Sequence, residues 1–215
     1  MEVITLIRNR LAEILFEREI KIVRIAKETG ISRNTITNTA SNNSEMLQMN
    51  TINKICSYLK ITPCDFFDYI PIDIDFSFYE NSSIDIVNDW KSDDLERRVI
   101  FDIDLLLDID FKGDKKKIDT KIVPEKDVIS TLPFIDNEIK LSIQSNDGQL
   151  DTLMTVFNEI PKEFKKIIYH NLINEYKSFL LKHINEDEKI DGISTKSDLI
   201  VNANYSITNS FLKYY

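Results

Sequence analysis

The stretch Ile22–Ser41, IVRIAKETGISRNTITNTAS, decides how the first part of the chain is read. It divides into two short helices joined by a tight turn. Ile22, Ile25 and Ala26 line one apolar face of the first helix, and Ile36 on the second meets it. Ala26 is small enough to let the two helices cross closely. Gly30 stands where the first helix must stop, and glycine takes the left-handed conformation that a helix end often requires. Ser32 follows as an N-cap, its hydroxyl placed to accept from a free N–H of the next turn. The second helix opens with Ser32, Arg33, Asn34 and Thr35 and continues through Thr37 and Asn38 to Ser41, with no apolar outer face. A row of short hydrogen-bonding groups with one guanidinium suits the base edges of a DNA major groove.

Working outward, residues 3–17 (VITLIRNRLAEILFE) carry Ile4, Ile7, Leu11, Ile14 and Leu15 at helical spacing, which predicts a first helix. Arg8 and Arg10 lie off that stripe, where they face either phosphates or plain solvent. A fourth helix is predicted from Met49 to Leu59. Thr62, Pro63 and Asp65 announce a fifth, with a capping hydroxyl, a proline at the first helical position and an acid in the first turn. Five helices over residues 1–70 make a complete small domain.

This stretch resembles the helix-turn-helix of the Cro/CI-type (XRE) family of bacterial and phage regulators. Ile25, Ala26, Gly30, Ile31, Ser32 and Ile36 match the family pattern in spacing and type, as does the closing LKITPCDFF, Leu59 to Phe67. The resemblance covers Leu6 to about Tyr69. It implies a five-helix lambda-repressor-like head that binds double-stranded DNA. It also implies contacts from Ser32, Arg33, Asn34, Thr35, Thr37, Asn38 and Ser41, with Arg8 and Arg24 reaching the backbone. Ile22 stands where the family often has Gln, and Thr39 where an apolar residue is usual. The inner face of the second helix is expected to be weaker at Thr39.

The chain has 215 residues and 42% hydrophobic content, enough for one or two domains with real cores. No run approaches the ~18 apolar residues of a membrane span. MEVITLIRNR lacks a signal-peptide layout, so a cytoplasmic protein is expected. Cys56 and Cys64 then read as reduced thiols. His170 and His183, 13 apart, fall on nearly opposite sides of one helix, so neither a metal nor a cofactor is expected. Net charge is −9, but residues 1–70 carry nine Lys and Arg against eight Asp and Glu (+1), and residues 71–215 carry 18 against 28 (−10). The acidic body either repels DNA and turns the head toward it or is simply a soluble surface.

From Pro71 the period changes from helical to alternating. Ile72, Ile74, Phe76 and Phe78 alternate with Asp73, Asp75 and Ser77, a strand with one wet face. A short strand is predicted at Ile84–Val87 and a loop at Asp93, Asp94 and Glu96. The clearest strand is Val99–Phe111, turning at Gly113 into a partner through Ile118, Thr120 and Ile122. Asp102, Asp104, Asp108 and Asp110 share one face of it. They could form an acid or metal site, but Lys115, Lys116, Lys117 and Lys121 on the returning strand favour a solvated, charge-balanced face. Glu138–Gln144 is a further strand, and the sheet region, residues 71–147, ends at Asn146-Asp147-Gly148. Helices are predicted at Leu150–Ile160 and Lys162–Ile184, and Glu186–Lys196 as loop. The long helix has an apolar stripe wide enough either to cover the sheet and offer a second face to a partner, or to pack wholly inside one subunit. The apolar end, residues 197–215, adds to the body or docks on a neighbour. The fold class is an α head followed by an α+β body with an antiparallel sheet.

Repressors of the resembling family often carry a self-cleaving C-terminal domain with an Ala-Gly cleavage pair. The sequence has no such pair. The layout is similar to master repressors of phages and phage-related islands. That similarity implies release by an antirepressor protein, with a small ligand held by the body as the second possibility. No phosphate loop, triad signature or metal cluster stands in the sequence, so the body reads as a dimerisation and sensing module and not an enzyme. A recognition helix joined to a body with surplus apolar surface reads as a repressor, dimeric through residues 150–215 on a palindromic operator. The alternative is an antitoxin or inhibitor whose body binds a partner and whose head autoregulates.

Overall fold

The computed structural model describes residues 7–42, 46–82, 85–91, 94–125, 128–129, 138–145, 148–184 and 195–213. They fall into two compact units, Thr5–Pro71 and Ile72–Tyr215. The head runs β1 (Ile7–Asn9), α1 (Leu11–Glu17), α2 (Ile22–Thr29), α3 (Arg33–Ala40), α4 (Met49–Leu59), α5 (Pro63–Phe66) and β2 (Phe67–Tyr69). Leu11, Ile25, Ile36, Ile55 and Phe66 are fully enclosed at its centre. Each such burial contributes roughly 1.5–3 kcal/mol. The α2 helix stops at Gly30, whose φ of +68° lets its N–H return to the Ala26 carbonyl at 3.0 Å. At α5, Thr62 and Asp65 cap one another reciprocally: the Asp65 N–H donates to the Thr62 hydroxyl at 3.2 Å and the Thr62 N–H to the Asp65 carboxylate at 2.9 Å.

The first helix differs from the expected span 3–17. Residues 3–6 lie outside the described residues, and helix begins only at Leu11. Ile7–Asn9 is a strand, antiparallel to β2, with Ile7 opposite Tyr69, Arg8 opposite Asp68 and Asn9 opposite Phe67. The Arg10 N–H extends the join to the Phe66 carbonyl at 2.8 Å. Periodicity over 3–17 cannot register this, because the deciding partners lie at the other end of the head.

The body comprises β3 (Ile72–Glu80), β4 (Asp85–Lys91), β5 (Asp94–Ile100), β6 (Ile103–Phe111), β7 (Asp114–Pro124), β8 (Val128–Ile129), β9 (Glu138–Gln144), α6 (Gln149–Asn158), α7 (Lys162–His183), α8 (Lys196–Asn202), β10 (Asn204–Ile207) and a 3-10 turn at Ser210–Leu212. A five-stranded sheet has the order β10-β9-β7-β6-β3, and a three-stranded one β4-β5-β8. The inward residues of β3 and β6, among them Ile74, Phe76, Leu105 and Leu107, are buried. Phe78 lies 5.7 Å from Tyr176 and 5.5 Å from Phe179, which puts α7 on that face.

Four expectations for the body are corrected. Val99–Phe111 is two strands, because four residues (81–84) separate Glu80 from Asp85 while only two separate Ile100 from Ile103. The ladder therefore breaks and resumes two residues out of step. Asp94 and Glu96 are strand and not loop, paired with Lys91 and Asp89; Asp93 lies outside the described residues. Of Ile84–Val87, Ile84 also lies outside, and the strand there is β4. The sheet is not wholly antiparallel: β10 runs parallel to β9, with Tyr205 opposite Ile139. Most of Glu186–Lys196, and Asn146-Asp147, lie outside the described residues. The broad stripe of α7 is consumed internally: Phe164, Ile168, Leu172, Ile173, Tyr176 and Leu180 are buried, as are Ile207, Phe211 and Leu212 of the C-terminal segment. Among the residues of 150–213 whose side chains are described, only Leu181 (36%) and Val201 (54%) are large apolar side chains left exposed.

Candidate nucleic-acid interface

Helix α3 is anchored by its inner side. Ile36 has no exposed surface, and Thr39, where an apolar residue was expected, is buried as well. Its hydroxyl donates to the Thr35 carbonyl at 2.8 Å, so burial leaves no unmade bond there. Ser32 is the N-cap, accepting from the Thr35 N–H at 3.0 Å, with the two hydroxyls 2.8 Å apart. At the other end the Ser41 hydroxyl donates to the carbonyls of Thr37 (3.0 Å) and Asn38 (3.1 Å). These three residues are exposed, but their hydroxyls already serve the helix.

Among the described residues, nothing bonds the remaining polar side chains of α3. Arg33, Asn34, Thr37 and Asn38 are all exposed. Helical spacing places them within one contiguous sector opposite Ile36 and Thr39. None of their side chains bonds any of the described residues. They present a guanidinium, two amides and a hydroxyl, the groups that read guanine and adenine edges bidentately or adapt to either. Arg24, on the adjoining α2, is exposed and likewise forms no side-chain bond among the described residues.

Residues 10–71 match the family model of the Cro/C1-type helix-turn-helix DNA-binding domain. The head is a Cro/C1-type helix-turn-helix domain. A crystal structure of a provisionally assigned DNA-binding protein from Bacteroides fragilis aligns with 29% of this chain and all of its own length, at 25% identity and a TM-score of 0.27. No curated protein matches the chain.

Within the Cro/C1-type head, Arg8 is not placed to touch DNA. Its side chain is 9% exposed and sits between the carboxylates of Glu13 and Asp68, the latter at 2.5 Å. Burial alone lowers its pKa, but the bond and charge of Glu13 and the charge of Asp68 outweigh this and raise it. Arg8 is a strut joining α1 to β2. Arg10 shares both carboxylates more loosely, at 3.4 and 3.8 Å.

A second polar cluster, absent from the sequence reading, holds α3 in place. The buried Asn9 donates its side-chain amide to the Thr39 carbonyl and to the Asn42 side-chain oxygen, both at 2.7 Å. Asn42 accepts from the Asn9 N–H at 2.8 Å and donates back to the Asn9 carbonyl at 3.0 Å. The Asn9 oxygen accepts from the Leu11 N–H at 3.1 Å. The pair therefore clamps the end of α3 to β1 and to the start of α1. Asn42 has φ +56°, the left-handed conformation that Asn tolerates better than most residues. An Asn just past a helix is the one local signal that could have pointed to it.

The aspartates of the body are answered by lysines. Lys117 meets Asp108 at 2.9 Å, Lys121 meets Asp102 at 3.1 Å and Asp104 at 3.8 Å, and Lys115 meets Asp110 at 3.8 Å. Among the described residues, no three His, Cys, Asp or Glu side chains converge as a metal site would need. No helix among them is long and apolar enough to cross a membrane. Cys56 is buried, and burial pushes its thiol pKa up; Cys64 is exposed.

Proposed function

We propose that this chain is a sequence-specific transcriptional repressor that binds a near-palindromic operator as a homodimer. The observation that carries it is the outward sector of Arg33, Asn34, Thr37 and Asn38, anchored from behind and bonded to nothing else described. Ser32, Thr35 and Ser41 shape the helix and make secondary contacts, and Arg24 reaches a phosphate. The head carries almost no net charge, so one copy gains little from counterion release and binds weakly. Two copies with recognition helices roughly 34 Å apart read successive major grooves.

The body supplies the dimer contact and the release signal, and it acts by binding and not by turnover. The absence of an Ala-Gly pair favours release by an antirepressor protein over self-cleavage. The contact expected over residues 150–215 has little exposed apolar area to support it among the described residues.

Footprinting on the DNA upstream of the chain's own gene tests the reading, followed by titration of Arg33→Ala and Asn38→Ala. Each should weaken specific binding by about 1–3 kcal/mol and leave nonspecific binding nearly unchanged. Unaltered operator affinity in both variants would rule out α3 as the reading element. Residues 1–71 alone should fold and bind much more weakly than the full chain. Full affinity from the head alone would rule out body-driven dimerisation.

A further inference from the structure

The dimer contact expected over residues 150–215 has little apolar area behind it among the described residues, and the backbone of β3 offers a different surface. At nine residues, β3 is an edge of the five-stranded sheet, and among the described residues no strand pairs with its outer side. The opposite edge, β10, has four residues. The Asn81 N–H donates to the Asp102 carbonyl at 2.8 Å, one step beyond the Glu80–Ile103 pair. In an antiparallel ladder, hydrogen-bonded and non-bonded pairs alternate. Asp73, Asp75, Ser77 and Tyr79 therefore direct their N–H and C=O groups to β6. Ile72, Ile74, Phe76, Phe78 and Glu80 direct theirs to the open edge.

We propose that a second copy of this chain adds its own β3 to this edge, antiparallel, about a two-fold axis at Phe76. This deepens the homodimer reading above and rests on it. With Phe76 opposite Phe76, every outward N–H and C=O finds its counterpart across the axis. Ile74 falls opposite Phe78 and Ile72 opposite Glu80. The register uses all nine residues and keeps apolar side chains on one face of a continuous sheet. It also places Asp75 opposite Ser77 and Asp73 opposite Tyr79, so no carboxylate faces another. Sliding by one pair toward the head puts Asp75 directly on Asp75, a like-charge pair that disfavours it. Phe78 and Phe179, each only partly buried in one copy, gain cover from the neighbour's Ile74. Pairing also removes a long free edge, which a lone chain would otherwise expose to aggregation.

The test uses the full chain and sedimentation equilibrium. Ser77 is exposed, so substitutions there leave the monomer's core intact, as circular dichroism and thermal melts will verify. Ser77→Asp creates two facing carboxylate pairs per dimer and should raise the dimer dissociation constant about tenfold. Ser77→Lys should lower it. Asp75→Lys with Ser77→Asp should dimerise more tightly than Asp75→Lys alone, although it carries one more negative charge; a general charge effect on this acidic chain would give the opposite order. A stable dimer indifferent to these variants, or one that follows net charge alone, would overturn the β3 interface while leaving the dimer itself. A wild-type chain that stays monomeric both free and on its operator would overturn the dimeric reading.

Discussion

Helix α3 in the head, and strand β6 with the preceding Asp102 in the body, each carry a row of polar side chains turned away from their own core. The two rows end differently. Asp102, Asp104, Asp108 and Asp110 are each met by a lysine of β7, at 2.9 to 3.8 Å. Arg33, Asn34, Thr37 and Asn38 are met by none of the described residues. A polar row points to a partner when its groups are held in place yet left unbonded. Where the same molecule supplies the countercharge on the adjacent strand, the row describes a wet face.

The sharpest way to break this comparison is from behind the recognition row. Ile36→Ala removes the fully enclosed apolar side chain of α3 and should destabilise the head by about 2–5 kcal/mol. Differential scanning calorimetry should show the head's transition falling while the body's stays put. If both units melt earlier together, they are more tightly coupled than two separate cores imply. On the exposed side, Asn34→Ala and Thr37→Ala should each cost operator affinity without moving the melt, by about 1–3 kcal/mol where the group reads a base. Neutralising Asp108 and Lys117 together should leave operator affinity and the head's transition unchanged.

The Asn9–Asn42 clamp allows an intermediate test. Asn9→Ala removes the side-chain bonds to the Thr39 carbonyl and the Asn42 side-chain oxygen and leaves the buried Leu11 N–H without its acceptor, a loss of about 1–3 kcal/mol. Its readout is positional: amide exchange at the C-terminal end of α3 should quicken, and operator affinity should fall by more than the stability loss explains. If affinity follows stability alone, the clamp is structural and does not aim the helix.

What was legible in the sequence was local chemistry. Gly30, Ser32 and the Thr62-Pro63-Asp65 cap each state their conformation within a few residues, and each is found as read. The outward sector of α3 follows directly from those stops and from Ile36. Contacts made far along the chain were not legible. Ile7 to Asn9 carry helical spacing, yet Asp68 and Phe67 draw them into a strand and turn Arg8 inward. The break at Phe101–Asp102 depends on how many residues the opposing strand holds, which alternation in a single strand does not encode. The parallel join of β10 to β9 is equally nonlocal.

The smallest expected effects separate the two units by pH. The Thr62 hydroxyl and N–H hold the Asp65 carboxyl below its ordinary pKa. A group depressed in the folded state contributes above its unfolded pKa of about 4, and that contribution is lost as pH falls through the lower folded value. The cap of α5 therefore weakens only on the acid side. In the body the sign reverses. Asp108 raises the pKa of Lys117, and Asp102 that of Lys121. Their contribution is complete below the unfolded lysine pKa of about 10.4 and is lost as pH climbs through the raised folded values. Thr62→Ala should thus flatten the acid limb of the head's melting profile, and Lys117→Gln with Lys121→Gln the alkaline limb of the body's. All of these groups face solvent, so both differences should shrink as salt rises. A change on the opposite limb from the one stated would mean that the shifts were assigned to the wrong partners.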